Sequence, residues 1–165
     1  MIKIQKNTID DALHVFEDII TGIELNREIA DIALGDILNH FRDEKDSSGM
    51  SWPPLAKITI EKRRKGRGSG SPKPLQDTGQ LIQSGNIDQT TNKNAIVAFN
   101  KYDAYFGINV AELQNDGGKG KILEEDGTII DIDVPAREFA WISDEAIEEI
   151  NNLAPIITKE VERKT

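Results

Sequence analysis

Six cations fall within twelve residues of this chain: Lys62, Arg63, Arg64, Lys65, Arg67 and Lys73, in "KRRKGRGSGSPK". Such a run raises local affinity for anions and, on a flexible backbone, can track a phosphodiester chain. No aromatic residue is interleaved for base stacking, so any nucleic-acid contact is expected to be sequence-blind and salt-sensitive. The competing reading is a solvated segment that a protein partner orders. Paired acids are a second candidate. Glu124, Glu125 and Asp126 sit by an expected turn, and Asp131 and Asp133 share one strand face. Carboxylates on one face can hold a divalent cation, or serve as an acid–base pair when one is buried. Here they lie on the polar side of an exposed hairpin, which favours a solvated role.

The remaining reactive groups carry less. His14 and His40 lie on helical patterns with no ligands at metal-binding spacing, so each reads as a satisfied or solvent-facing histidine. No serine occupies a Gly-x-Ser-x-Gly elbow. Gly66, Gly68 and Gly70 lack the Lys-Ser/Thr ending and the strand-then-helix context of a phosphate loop. The chain has no cysteine, which removes disulfides, thiolate ligands and a cysteine nucleophile, and fits a reducing compartment. No catalytic residue, metal site or cofactor is expected. Arg137 stands before Phe139 and Trp141 in "PAREFAW". It is expected to be structural, pairing with an acid such as Asp77 to lock two loops together.

The 165 residues suit one ordinary domain, expected over 1–165 with a flexible basic loop at about 62–74. With aromatics at only 5%, the core is expected to be mostly Ile, Leu, Val and Ala. The formal net charge of −9 argues against nucleic acid as the main partner. The charge is unevenly spread: residues 1–46 hold 5 basic and 11 acidic groups, residues 47–93 hold 8 and 3, and residues 94–165 hold 7 and 15. That split implies two electrostatic faces. The N-terminus lacks a signal-peptide core, and no apolar run approaches the roughly 20 residues of a membrane span, so no membrane association is expected.

The elements that position these groups follow from periodicity. Met1, Ile2 and Ile4 suit a short strand or tethering arm. Ile9, Leu13, Phe16 and Ile20 recur at helical spacing, with Gly22 expected to break or bend that helix. Leu25, Ile29, Ile32, Ala33, Ile37 and Phe41 mark a second helical face, ended by Asp46–Gly49. Pro53 and Pro54 hold the next segment extended. A helix begins near Lys57, and a short helical piece follows Leu75 with Asp77 or Thr78 as its cap. "NIDQTT" and "AIVAFN" read as strands joined at Asn92–Asn94, and an amphipathic piece ends at Gly117. "KILEEDGTIIDIDV" reads as a hairpin turning at Asp126-Gly127, and Pro135 stops it. Ser143 starts a last helix whose stripe is Ala146, Ile147, Ile150 and Leu153, and Pro155 kinks or restarts it.

With these pieces in order, the chain resembles the bacteriophage virion morphogenesis (tail completion) family over roughly residues 25–155. "HFRDEKDSSGMSWPPLAKITIEKR" is similar to the family's helix end, Trp, Leu, Thr and basic helix, here Phe41, Trp52, Leu55, Thr59 and Lys62. "LQDTGQLIQS" resembles its Leu-x-x-Thr-Gly-x-Leu-x-x-Ser element, here Leu75, Thr78, Gly79, Leu81 and Ser84. "YDAYFGINVAELQNDGG" is similar to its Tyr-Ala … Gln-x-Gly region through Tyr105, Gln114 and Gly117, with Leu113 where the family has His. "VPAREFAWISDEA" resembles its Ile-Pro-Ala-Arg-x-Phe stretch, here Pro135, Ala136, Arg137, Phe139, Ile142 and Ser143.

The resemblance implies a non-enzymatic virion part, made in the host cytoplasm, that binds other neck or tail proteins and forms a homo-oligomeric ring on assembly. It implies structural roles for Trp52, Leu75, Thr78, Gly79, Pro135, Arg137 and Phe139. Trp52, Phe139 and Trp141 are candidate core or interface anchors. The expected fold is α+β, with N-terminal helices and a C-terminal helix packed on a small antiparallel β-sheet of about three to five strands. The alternative function is a nucleic-acid-binding accessory domain using the basic loop 62–73. A metal-dependent hydrolase built on the hairpin acids is a third, weaker class.

Overall fold

The computed structural model describes residues 6–64, 71–103, 108–123 and 127–153. Met1–Ile4, Lys65, Gly66, Arg67, Gly68, Gly70, Tyr105, Glu124, Glu125, Asp126 and Pro155 lie outside them. In order, the elements are α1 (Lys6–Asp43), α2 (Lys57–Lys62), α3 (Gln80–Gln83), β1 (Gly85–Thr90) and β2 (Ala95–Phe99). Then come β3 (Tyr102–Asp103), β4 (Ile108–Asn109), α4 (Val110–Asp116), β5 (Gly118–Leu123) and β6 (Ile129–Val134). A last helix, α5, covers residues 144–153. The class is α+β, as the periodicities predict.

The chain forms two compact units, one of Met1–Leu34, Ile87–Val97 and Asp144–Thr165, the other of Gly35–Asn86 and Ala98–Ser143. In the first, α1 runs unbroken through Gly22, where the sequence predicts a break. The glycine answers a steric need instead. A Cβ at residue 22 would lie 3.1 Å from the Asn92 carbonyl oxygen and 3.2 Å from the Asn92 Cβ, so its absence lets the β1–β2 turn approach the helix. Asn26 Nδ2 donates to the Thr91 carbonyl there, at 2.8 Å. Thr91 organises the turn itself: its hydroxyl accepts from the N–H groups of Lys93 and Asn94 and donates to the Asn94 side chain. On α5 the buried stripe is Ala146 with half-buried Ile150 and Leu153. Ile147, expected in that stripe, falls one helical step off it and is 45% exposed.

The second unit holds a core that composition did not suggest. Phe41 and Phe139 are each 1% exposed, and Trp52 is buried beside them. Phe41 lies 4.9 Å from Phe139 and 5.9 Å from both Trp52 and Phe99, centroid to centroid, and Phe99 meets Phe139 edge-on at 5.2 Å. Few aromatic residues suffice because they converge: such pairs add about 0.5–1.5 kcal/mol each beyond the area they bury. Ile37, Leu75 and Leu81 are buried aliphatic residues of the same unit.

Helix α1 stops at Asp43, before the predicted Asp46–Gly49, because Glu44 takes the left-handed conformation (φ 54) and its N–H returns to the His40 carbonyl at 2.8 Å. Asp46 then closes a tight turn, accepting from the Ser48 and Met50 N–H groups and the Ser48 hydroxyl. The Ser48 hydroxyl, with those two N–H groups, holds the Asp46 carboxyl below its usual pKa.

Among the described residues strands pair two by two, β1 with β2, β3 with β4 and β5 with β6, where one larger sheet is expected from sequence. The chain beyond β6 turns first to helix α4: the Arg137 N–H reaches the Gln114 carbonyl at 2.9 Å. The β5–β6 register runs from Gly118↔Val134 to Leu123↔Ile129; the expected turn at Asp126-Gly127 begins outside the described residues. No helix among the described residues is long and apolar enough to cross a membrane.

Gly117 joins α4 to β5 at φ 73, with its N–H capping the Leu113 carbonyl at 3.0 Å. A Cβ there would meet the Ala136 nitrogen at 2.7 Å and the Val134 oxygen at 2.8 Å, both backbone atoms that cannot yield cheaply. Gly117→Ala is therefore expected to lower the stability of this unit by about 3 kcal/mol, read from the midpoint of a urea unfolding curve at constant slope.

Candidate functional site

Residues 135–143 form a strap without regular secondary structure, and its polar groups are met from three directions. Arg137 is its centre and is only 4% exposed. Two prolines in sequence adopt an extended backbone with no internal hydrogen bonds, so their carbonyls need outside donors. Arg137 supplies them: Nε donates to the Pro53 carbonyl at 2.9 Å and Nη2 to the Pro54 carbonyl at 3.3 Å. Nη1 donates to Gln114 Oε1 at 3.2 Å, tying in α4. The expected partner, Asp77, lines the same groove but pairs with Arg63, so Arg137 locks loops through carbonyls and an amide. Burial, and then the charge of Arg63, lower its pKa.

The next residues repeat the pattern. Trp52 Nε1 donates to the Glu138 carbonyl at 3.0 Å, and Glu138 in turn accepts from the Ser47 N–H and hydroxyl. Asn115 Oδ1 accepts from the N–H groups of both Phe139 and Ala140, each at 3.0 Å. His40 Nδ1 lies 2.8 Å from the Phe139 carbonyl, an acceptor only, so Nδ1 carries a proton and donates it there. The ring stacks on Trp141 at 3.9 Å with planes 2° apart, and its Nε2 is 3.6 Å from Asp36. Asp36 accepts from the Ser143 N–H at 2.7 Å and hydroxyl at 2.8 Å. His40 is thus a buried structural histidine, as its helical setting implies.

A groove of about 440 Å³ opens beside the strap. Its walls come from the Pro54–Ala56 segment, α2, the Leu75–Leu81 turn, α4 and the end of β6. Of the residues singled out by sequence, Leu75, Thr78, Gly79, Pro135 and Arg137 line it, whereas Trp52 and Phe139 belong to the aromatic core. Gly79, at φ 75, is itself the N-cap of α3, and no side chain caps that helix; Asp77 and Thr78, the expected caps, precede it. Leu75 is buried at φ 58, a conformation that costs a bulky residue about 1–3 kcal/mol and persists because its surroundings hold it.

The basic run divides once its geometry is known. The Arg63 side chain is mostly buried; it donates to the carbonyls of Ser71 and Lys73, both at 3.0 Å, and pairs with Asp77 at 3.6 Å. Arg63 therefore staples the two ends of the basic loop together rather than offering its charge to solvent. Lys73 Nζ lies 3.3 Å from Glu44. Lys62 is half-buried and Arg64 exposed, while Lys65 and Arg67 fall outside the described residues. The hairpin acids are engaged too: Lys119 faces Asp133 at 3.3 Å and Lys121 faces Asp131 at 3.7 Å, in direct cross-strand register. Exposed pairs of this kind add little stability, about 0.2–1 kcal/mol each, but they fix which face is polar. Among the described residues, no group of three or more histidines and acids converges to hold a metal ion.

Sequence reasoning missed the clasp of Arg63 and the two proline carbonyls. The alternation Lys-x-Lys opposite Asp-x-Asp was visible and could have been paired once the hairpin was predicted. Comparison with protein-family models, with curated proteins and with solved structures finds no match to this chain.

Removing the Arg137 guanidinium takes the donors from the part-buried Pro53 and Pro54 carbonyls and the Gln114 amide oxygen. Arg137→Met is expected to destabilise this unit by about 3 kcal/mol or more. Arg137→Lys should recover under half of that loss, because one ammonium cannot reach three acceptors held by a planar fork. Chemical unfolding followed by Trp fluorescence measures both, since Trp52 packs in the same core.

Proposed function

We propose that this chain is a non-enzymatic structural protein of a bacteriophage or prophage, acting in tail completion and head–tail joining through protein–protein assembly. The observation that carries the reading is a convergence. The four stretches that resemble the virion morphogenesis family are scattered from Phe41 to Ser143, yet they meet in one hydrogen-bonded node. Trp52 and Pro53–Pro54 from the first, Gln114 from the third and Arg137–Phe139 from the fourth bond to one another directly. Leu75, Thr78 and Gly79 from the second line the same groove as Arg137. Residues that look unrelated along the chain thus act as one structural unit.

Such a unit would work by fit and charge. Copies would assemble with one another into a ring and with other neck or tail proteins. Trp52 and Phe139, expected as core or interface anchors, are core. The apolar side chains available to neighbours are Met50, Ile58, Tyr102 and Ile129 in the second unit. The alternative, a nucleic-acid accessory role for residues 62–73, has fewer cations to draw on, because Arg63 and Lys73 already pair within the chain.

A phage or prophage deleted for this gene is expected to yield filled heads and separate tails that do not join, seen by electron microscopy of lysates, with plaque yield restored by the gene in trans. Normal plaque yield from the deletion would reject the reading. The nucleic-acid alternative predicts instead that the purified protein retards nonspecific duplex DNA in a salt-dependent manner and loses this with Arg64, Lys65 and Arg67 changed to serine.

A further inference from the structure

Strands β5 and β6 make a ribbon of two, and among the described residues no third strand pairs with either outer edge. A two-stranded ribbon is marginal by itself and gains when a further strand is added. Each strand turns one row of N–H and carbonyl groups to its partner and another row outward, and an outward row is a template for a new strand. Lys119, Gly120 and Lys121 of β5 are exposed, as are Ile129, Asp131 and Asp133 of β6. At its base, β6 also borders the groove beside Arg137 through Asp133 and Val134.

The charges on the ribbon decide which strand can be added. The only charged residues of these strands are Lys119 and Lys121 on β5 and Asp131 and Asp133 on β6. All of them share one face, since Lys119 stands opposite Asp133 and Lys121 opposite Asp131. Their side chains are 68–84% exposed even though each is paired, which leaves every charge open on the side away from its partner. Lysine on an edge strand ordinarily repels a neighbouring edge. Here the repulsion is selective, because the two edges carry opposite signs. A β5 edge against another β5 edge brings lysine to lysine, and β6 against β6 brings aspartate to aspartate. Like charges directly opposite destabilise a strand pair. A β5 edge against a β6 edge puts an acid opposite each lysine, in the register the hairpin already uses. The other face agrees: Gly118 and Gly120 of β5 stand opposite Val134 and Ile132 of β6, small residues opposite β-branched ones.

We propose that the outer edge of β5 in one copy of this chain pairs, antiparallel, with the outer edge of β6 in the next, extending the ribbon into a sheet that is continuous across copies. Lys121 would face Asp131 of the next copy, and Lys119 would face its Asp133. Because the two edges differ, the contact is heterologous, and it leaves no edge free once the copies close into a ring. This inference rests on the assembly reading above and names the contact behind it.

The test inverts both pairs at once. The chain with Lys119→Asp, Lys121→Asp, Asp131→Lys and Asp133→Lys keeps opposite charges across its own hairpin, so it is expected to fold, by circular dichroism, and to self-associate like the wild type. Mixed with the wild type, it meets lysine with lysine or acid with acid at every shared edge. Sedimentation of the mixture, with the inverted chain carrying an N-terminal dye, should show association between the two kinds at least about tenfold weaker than within either. Hydrogen exchange on the wild-type chain is a second readout that stands whether or not the inverted chain folds. Amides of β5 and β6 should gain protection as concentration rises through the association range, because strand pairing occupies backbone groups. A wild-type chain that stays monomeric at every concentration overturns the contact. So does co-assembly of the two kinds as tight as either alone, or an association that leaves β5 and β6 exchanging as before. None of these results touches the head–tail phenotype of the deletion, which judges the assembly reading separately.

Discussion

A guanidinium taken out of water must find acceptors for its donors, and around Arg137 that requirement organises a whole unit. The acceptors are carbonyls that nothing else in their own segment can satisfy, since Pro53 and Pro54 stand in an extended stretch with no internal bonds. Desolvation of the charge and desolvation of the carbonyls are each unfavourable alone, and each offsets the other when they meet. The geometry that results fixes the distance between the Pro-Pro segment, helix α4 and the chain leaving β6. All three stretches line the groove, and one side chain ties the first two to the third.

The strap that follows shows the same economy. It has no ladder, yet its N–H and carbonyl groups are answered by Asn115, His40, Trp52 and Asp36. Side-chain partners are specific in a way that a ladder is not, because each must arrive at one place. They also bring their apolar bodies with them. Trp52 donates one hydrogen bond and packs its ring on Phe41, and His40 does likewise with Trp141. Polar satisfaction and core packing are therefore one event here, which explains how a chain so poor in aromatics builds an aromatic core.

Much of the fold was legible in the residues. The turn at Asn92–Asn94 joins two strands that pair, as the β-prone runs on either side of it imply. The amphipathic stretch before Gly117, the helix from Lys57 and the helix after Ser143 stand where periodicity and punctuation put them. The misreadings share a cause. Gly22 was weighed by its intrinsic helix cost, whereas its role is to leave room for Asn92, a neighbour distant in sequence. Ile147 is expected in the buried stripe of the last helix, though one helical step removes it from that face. The strands were summed into one sheet because strand propensity says nothing about which edges meet.

For the site, sequence determined the cast: a buried-prone Arg before aromatics, a Pro-Pro segment, a Thr-Gly turn and a dense basic run. It determined as well that charge is segregated along the chain, since that needs only counting. Pairing was decided by tertiary structure alone. Arg63 and Arg137 are both arginines near an acid and several carbonyls in the linear code, and either could have taken Asp77. Folding gave Asp77 to Arg63 and the proline carbonyls to Arg137, because an arginine's partner is set by which acceptors share its desolvated space, and that space is made by segments up to a hundred residues apart.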